Sequence, residues 1–211
     1  SSVDGRPLGA QVELVWSIDR PVRAEREPLG DTVLVTGDPT GELPGARREA
    51  ERVAASTDVV TVLTGAEATR GDVTAQLSRV ERWYFAGHGI LDPDDPWRSG
   101  LGLADGKLDV GDLVSLPSVP RAIVLSGCET GRTDTSHEVA ALGVVPALVL
   151  SGADVVIASE EVIPDVPLHQ DLGAALVEAG DLDAFVSRSS ALHRDFATGK
   201  NPGPRWRIWV R

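Results

Sequence analysis

Two residues that together could attack a carbonyl carbon follow apolar stretches of the sequence. His88 lies between glycines in YFAGHGI, and Cys128, the single cysteine of the chain, follows a glycine in VLSGCETG. A thiol reacts as its thiolate, and an imidazole within hydrogen-bond reach is a common base for it. The flanking glycines favour a sharp turn and close approach of a ligand to the backbone. The pair therefore predicts a thiol–imidazole dyad, provided that the fold brings the two turns together.

Each of these residues also has an ordinary structural interpretation. A lone cysteine is usually a small buried side chain, and a lone histidine in a loop is usually a polar surface residue. Because both residues here end an apolar run inside a glycine turn, the combination favours catalysis. The remaining histidines lack that setting and have no ligand spacing with the cysteine, so we expect no metal and no cofactor. These histidines are His137, His169 and His193.

Composition limits the classes of partner. The chain has 211 residues, with 32 acidic and 20 basic side chains and a net charge of −12, so its surface repels nucleic acids and anionic membranes. A single cysteine cannot form an internal disulfide, which favours a reducing cytoplasm. No apolar run reaches the roughly 20 residues that a membrane span needs. The chain begins at Ser1 and contains no methionine, so we expect it to be one domain of a longer protein.

Short β-branched runs recur along the chain, and several are apolar throughout. Such runs are typical of strands buried on both faces, which predicts an α/β fold with a central, mostly parallel sheet. Asp105-Gly106 between two short apolar pieces predicts a β-hairpin. The predicted strands are residues 12–16, 32–37, 59–65, 82–87, 121–127, 154–159 and 205–210.

Helical segments lie between these strands. Pro44 begins one of them, and Thr69 with Asp72 three residues later resembles a capping box at the start of the next. Pro146 is expected to interrupt a third segment. The predicted helices are residues 44–55, 69–80, 136–152, 168–179 and 182–197. Since ligands of open α/β sheets bind at the carboxyl ends of the strands, His88 and Cys128 are expected at the functional edge.

Three motifs together resemble a known family. FAGHG, VLSGCETG and the upstream GDPTGELPGARREAERVAA are similar to the CHAT domain, a caspase-like group of cysteine peptidases related to caspases and separase. The resemblance spans residues 31–211, which leaves 1–30 as an N-terminal extension with an edge strand. It implies a caspase-like three-layer α/β/α sandwich.

The resemblance also implies roles for individual residues. His88 would be the general acid or base and Cys128 the nucleophile, and the backbone N–H groups of Gly89 and Cys128 would form the oxyanion hole. Caspase-like enzymes have no obligatory third catalytic residue. The expected activity is that of a cysteine endopeptidase that cleaves protein substrates. A partner or sensor domain would regulate it, and related domains act in bacterial defence among other processes.

One segment departs from the family pattern. Where related chains commonly carry a Trp-Pro segment after the strand DVVIAS, this chain reads SEEVIPD at 159–165. That departure favours the alternative function, a catalytically inactive caspase-like scaffold that binds other proteins. A nucleotide-binding domain is weaker still, because GDPTGELPG lacks the glycine and lysine spacing of a phosphate loop.

The region after that strand lines the substrate cleft in caspase relatives. Acidic side chains there and near the cysteine predict a preference for a basic P1 residue, although solvated carboxylates in an acidic protein explain them equally well. The candidate substrate-binding residues are Glu129, Asp134, Ser159, Glu160 and Glu161.

Overall fold

The structure is a computed structural model of the chain, and it describes residues 2–3, 6–7, 15–17, 30–127, 143–159, 170–179, 181–197 and 206–210. The described strands are β1 Ser2–Val3, β2 Arg6–Pro7, β3 Val15–Ser17, β4 Val33–Gly37, β5 Val60–Thr64, β6 Arg82–Gly87, β7 Gly89–Ile90, β8 Gly100–Leu103, β9 Gly106–Asp109, β10 Ala122–Gly127, β11 Val155–Ser159 and β12 Trp206–Val210. The described helices are α1 Pro44–Ala54, α2 Arg70–Leu77, α3 Val110–Ser115, α4 Val144–Ser151, α5 Gln170–Glu178 and α6 Leu182–Ala197. Short 3₁₀ turns lie at Gly65–Glu67 and Pro96–Arg98.

Seven of the described strands form one sheet, in the order β3-β12-β11-β10-β6-β4-β5. The pairs from β11 to β5 are parallel, and β12 runs antiparallel to β11. The predicted central, mostly parallel sheet is therefore confirmed. A separate antiparallel sheet, β7-β8-β9, contains the predicted hairpin, whose turn includes Asp105.

Helices cover both faces of the main sheet. Successive side chains of a strand point to opposite faces, so Trp83 and Phe85 pack in the core beneath α2, α3 and α4, whereas Tyr84 and Ala86 pack in the core beneath α1, α5 and α6. Strands β4, β6, β10 and β11 are buried on both faces, as their continuous apolar runs predict. This arrangement is the expected three-layer α/β/α sandwich.

The helix signals in the sequence are confirmed at two starts and wrong at one residue. Pro44 is the first residue of α1, and the Thr69 hydroxyl oxygen accepts the Asp72 N–H at 3.1 Å at the start of α2. Pro146 does not interrupt a helix, because it is the third residue of α4, where its missing N–H has no partner within the helix. The predicted residues 136–142 lie outside the described part.

The N-terminal boundary stays a prediction. Strand β3 pairs in parallel with β12 and lies at the edge of the main sheet. Within the described ranges, no helix combines the length and the apolarity that a membrane crossing requires.

Candidate active site

The carboxyl ends of the central parallel strands meet at one edge of the sheet. In β6 and β10, Gly87 lies opposite Gly127, and in β4 and β6, Gly37 lies opposite Ala86. The strands that precede the two predicted catalytic residues are therefore neighbours, as the dyad requires. His88 follows directly at this edge.

The backbone of His88 is held by the small antiparallel sheet. Its carbonyl oxygen accepts the Gly102 N–H at 2.9 Å, and the next residues, Gly89 and Ile90, pair with β8. Space here is limited, since a Cβ atom added at Gly102 would lie 3.3 Å from the His88 Cβ. The small β7-β8-β9 sheet thus fixes the position of His88 directly after the end of β6.

The register of β7 also decides where the Gly89 N–H points. Gly89 lies opposite Leu101, and the neighbouring residues His88 and Gly102 are joined by the hydrogen bond from the Gly102 N–H to the His88 carbonyl. Hydrogen-bonded and non-hydrogen-bonded residue pairs alternate along an antiparallel ladder. Gly89 and Leu101 therefore form a non-hydrogen-bonded pair, in which the N–H groups point away from the facing strand. The Gly89 N–H is therefore directed away from β8, as an oxyanion donor must be.

The His88 ring is half-buried and has an acidic neighbour. Its side chain is 36% exposed, but the Nε2 atom is shielded from solvent. The Glu42 Oε2 atom lies 3.4 Å from Nε2, without the geometry of a hydrogen bond, and no other described residue gives Nε2 one. The imidazole thus stands beside a carboxylate that the sequence analysis did not identify.

Asp38 is a second residue that the sequence analysis did not identify. It follows β4, is 2% exposed and has a φ of 45°, in the left-handed region that Asp tolerates better than most residues. One carboxylate oxygen accepts the Leu43 N–H at 2.8 Å, and the other lies 3.4 Å from Arg47 Nε. Asp38 therefore secures both ends of the loop that carries Glu42. An Asp directly after a buried strand was the available signal.

The role assigned to the glycine before His88 needs correction. Neither Gly87 nor Gly89 has a positive φ, and the chain passes from β6 through His88 directly into β7, so the sharp glycine turn that the sequence suggested does not occur there. Gly87 is needed for space instead, because an added Cβ would lie 2.8 Å from Phe85 Cζ and 3.0 Å from Pro39 Cδ.

Several predicted site residues lie outside the described part of the chain. Ser159 is described: it ends β11, is fully buried and pairs with Trp206. Its predicted contact with substrate stays a prediction. The site residues outside the described part are Cys128, Glu129, Asp134, Glu160 and Glu161. Among the residues that are described, no group of three or more His, Cys, Asp or Glu side chains could hold a metal ion.

A family model described as "CHAT domain" matches residues 6–195. The chain belongs to the CHAT domain family. This confirms the resemblance of the three motifs and places the chain in a caspase-like protease family. No curated protein matches the chain.

Solved structures share the fold of this CHAT domain. Two crystal structures of the Saccharomyces cerevisiae separase–securin complex match it with TM-scores of 0.55 and 0.53, each at 12% identity, and cover 87% and 93% of the chain. The matched part is 12% and 13% of those longer chains. A protein from Geobacter sulfurreducens matches with a TM-score of 0.51 at 16% identity, over 85% of this chain and 94% of its own. At such identities the likeness establishes the fold alone.

Proposed function

We propose that this CHAT domain is a cysteine endopeptidase that uses His88 and Cys128. The observation that carries the proposal is the pairing of Gly87 with Gly127 in adjacent parallel strands. His88 and Cys128 are the next residues along each strand, and consecutive Cα atoms are only about 3.8 Å apart. The two strand ends that lead into His88 and Cys128 therefore lie side by side on one edge of the sheet, which supports the dyad.

The proposed reaction has two stages. The Cys128 thiolate attacks the peptide carbonyl carbon, a C–S bond forms, and the C–N bond breaks while His88 delivers a proton to the departing amine. Water, deprotonated by His88, then hydrolyses the thioester and releases the thiol. The N–H groups of Gly89 and Cys128 would stabilise the oxyanion, a contribution on the order of 3 kcal/mol per donor.

A probe of the single thiol tests this proposal. We expect a thiol-directed peptide probe to label the native chain and not Cys128→Ala, and to label His88→Ala at least about 100-fold more slowly, because the thiolate loses its base. His193→Ala is the matched control, since that histidine lies on α6, far along the chain from both strand ends. Labelling of His88→Ala at the native rate would overturn the dyad.

The alternative function, an inactive scaffold, is favoured by the SEEVIPD segment. It predicts binding of a protein partner without hydrolysis, and thiol labelling no faster than that of an unfolded cysteine peptide. The probe measurement therefore separates the two functions.

Substrate preference is part of the same proposal. Glu129, Asp134, Glu160 and Glu161 would favour a basic P1 side chain through charge complementarity, with Ser159 at the end of the adjoining strand. In a peptide panel, Arg or Lys at P1 should be cleaved about tenfold faster than Gln or Leu, and Glu160→Gln with Glu161→Gln should reduce this ratio. Equal rates across the panel would remove the preference.

Regulation by a partner or sensor domain is also proposed. The loop after β7 is held by local hydrogen bonds: Asp92 Oδ1 accepts the N–H groups of Asp94 and Asp95, and Asp95 Oδ1 accepts that of Trp97. Such bonds can form or break without disturbing a core. Amide hydrogen exchange should be fast in residues 91–98 and slow in β6, and equally slow exchange in both would argue against a switchable loop.

A further inference from the structure

Glu42 lies on the loop between β4 and α1, at the edge of the sheet where His88 emerges. Its Oε2 atom is 3.4 Å from the His88 Nε2 atom, which is itself shielded from solvent. A shielded imidazole nitrogen beside a carboxylate is positioned to carry the ring proton, because the carboxylate can only accept. The other ring nitrogen, Nδ1, is then the one left to exchange a proton.

The loop that presents Glu42 is anchored at both sides of that residue. On one side, the Asp38 N–H donates to the Ala86 carbonyl at 2.8 Å, which ties the loop to the strand that ends before His88. On the other side, the Asp38 carboxylate accepts the Leu43 N–H at 2.8 Å. These two contacts fix the backbone of the loop, and with it the point from which the Glu42 side chain extends towards His88. The Glu42 side chain itself is 72% exposed.

We propose that Glu42 is a positioning residue for His88. In the structure this 3.4 Å contact lacks the geometry of a hydrogen bond. A small rotation of the Glu42 side chain makes its carboxylate the acceptor of the Nε2 proton, and this holds the ring so that Nδ1 takes the proton of the Cys128 thiol and passes it to the departing amine. The Nε2 proton stays in place throughout the cycle. The inference rests on the proposed peptidase function and adds a third side chain to its site. The family resemblance did not imply such a residue, because caspase-like enzymes have no obligatory third catalytic residue.

The expected size of the effect follows from exposure. Because solvent and salt screen a carboxylate as exposed as Glu42, it contributes less than a buried triad acid would. We expect Glu42→Ala to reduce kcat on the order of tenfold with KM changed less than twofold, since the residue acts on the histidine and not on the substrate. Glu42→Gln retains an acceptor oxygen and should recover part of that loss.

The kinetic measurement compares these variants with Glu51→Ala. Glu51 is exposed on α1, so this control removes one carboxylate from the same region without touching His88. A kcat for Glu42→Ala equal to that of Glu51→Ala would overturn the positioning role.

A second measurement does not depend on hydrolysis. Nitrogen-15 NMR of the imidazole, with the His88 signals assigned by their loss in His88→Asn, reports which ring nitrogen carries the proton when spectra are recorded at alkaline pH, where they no longer change with pH. We expect the proton on Nε2 in the native chain and a shift towards Nδ1 in Glu42→Ala but not in Glu51→Ala. No shift would overturn the inference even in an active enzyme. A shift in a chain that hydrolyses nothing would refute the peptidase and leave the Glu42–His88 contact standing.

Discussion

Gly87 and Gly127 lie opposite each other in the register of the parallel strands β6 and β10. Each is the last residue of its strand, and each precedes one member of the proposed dyad. The position of His88 therefore depends on a pairing between strands that are far apart in the sequence. The spacing around this pair can be tested by adding single methyl groups.

Gly87→Ala should lower both stability and activity. The added Cβ would lie 2.8 Å from Phe85 Cζ and 3.0 Å from Pro39 Cδ, so the aromatic ring or the strand must move. We expect a loss of about 1–3 kcal/mol in the free energy of unfolding, measured by urea denaturation. Gly71→Ala is the matched control, because the added Cβ would lie 3.9 Å from Thr69 Oγ1, an ordinary contact, and alanine favours the helix. Equal midpoints for the two variants would contradict the packing described for Gly87.

Gly102→Ala should affect catalysis more than stability. The new Cβ would lie 3.3 Å from the His88 Cβ, which a shift of a few tenths of an ångström would relieve. Since that shift moves the imidazole, we expect kcat to fall several-fold, while the free energy of unfolding falls by less than about 1 kcal/mol. Native kcat in a folded variant would mean that the position of His88 tolerates the displacement.

Tyr84, the one tyrosine of the chain, should resist ionisation in the folded state. Burial, the negative charge of Glu49 and the hydrogen bond that Tyr84 donates to Glu49 raise the pKa of its phenol well above the ordinary value of about 10. The native state therefore keeps a proton that the unfolded state releases. This contribution to stability is complete below about pH 10 and is lost as pH rises towards the native pKa, at up to about 1.4 kcal/mol per pH unit.

Phenolate absorbance measures this directly. In denaturant the tyrosine should be half-ionised near pH 10, whereas the folded chain should show little phenolate at that same pH. Tyr84→Phe supplies the baseline, because no tyrosine then remains. A folded chain that titrates near pH 10 would contradict the burial of the hydroxyl.

Arg82 is the first residue of β6, and it stabilises the end of the sheet that lies opposite His88. Its guanidinium donates to the carbonyl oxygens of Val177 at 3.0 Å and Ala179 at 2.7 Å, and to Asp31 at 3.1 Å. Arg82→Met should reduce the free energy of unfolding by about 2–4 kcal/mol, because two buried carbonyls lose a charged donor. Asp31→Asn should cost less than about 1 kcal/mol, since that carboxylate is 77% exposed. Similar losses in thermal denaturation would assign the stability to the exposed ion pair.

Much of the fold could be predicted from local patterns. The strand that ends at Gly87 and the strand that ends at Gly127 were predicted within a residue, because a continuous apolar run that ends in a glycine, aromatic in β6 and aliphatic in β10, is a local signal. The predicted interruption at Pro146 was wrong because proline disrupts a helix only beyond its first turn, and the sequence does not mark where α4 begins. The sharp turn expected at Gly87 was wrong for a related reason: glycine also serves close packing, and its neighbours are not visible in sequence.

The sequence by itself determined the α/β class, the helix starts at Pro44 and Thr69, and the candidate pair of His88 and Cys128, since each rests on residue types within a few positions. Only the tertiary structure decided that β6 lies beside β10, that the Gly89 N–H points away from β8, and that Glu42 stands 3.4 Å from His88 Nε2. Strand order and side-chain contacts depend on the packing of segments distant in sequence, which carries no local signal. For that reason the sequence identified His88 as a candidate from its flanking glycines, whereas its neighbour Glu42 had no local signal.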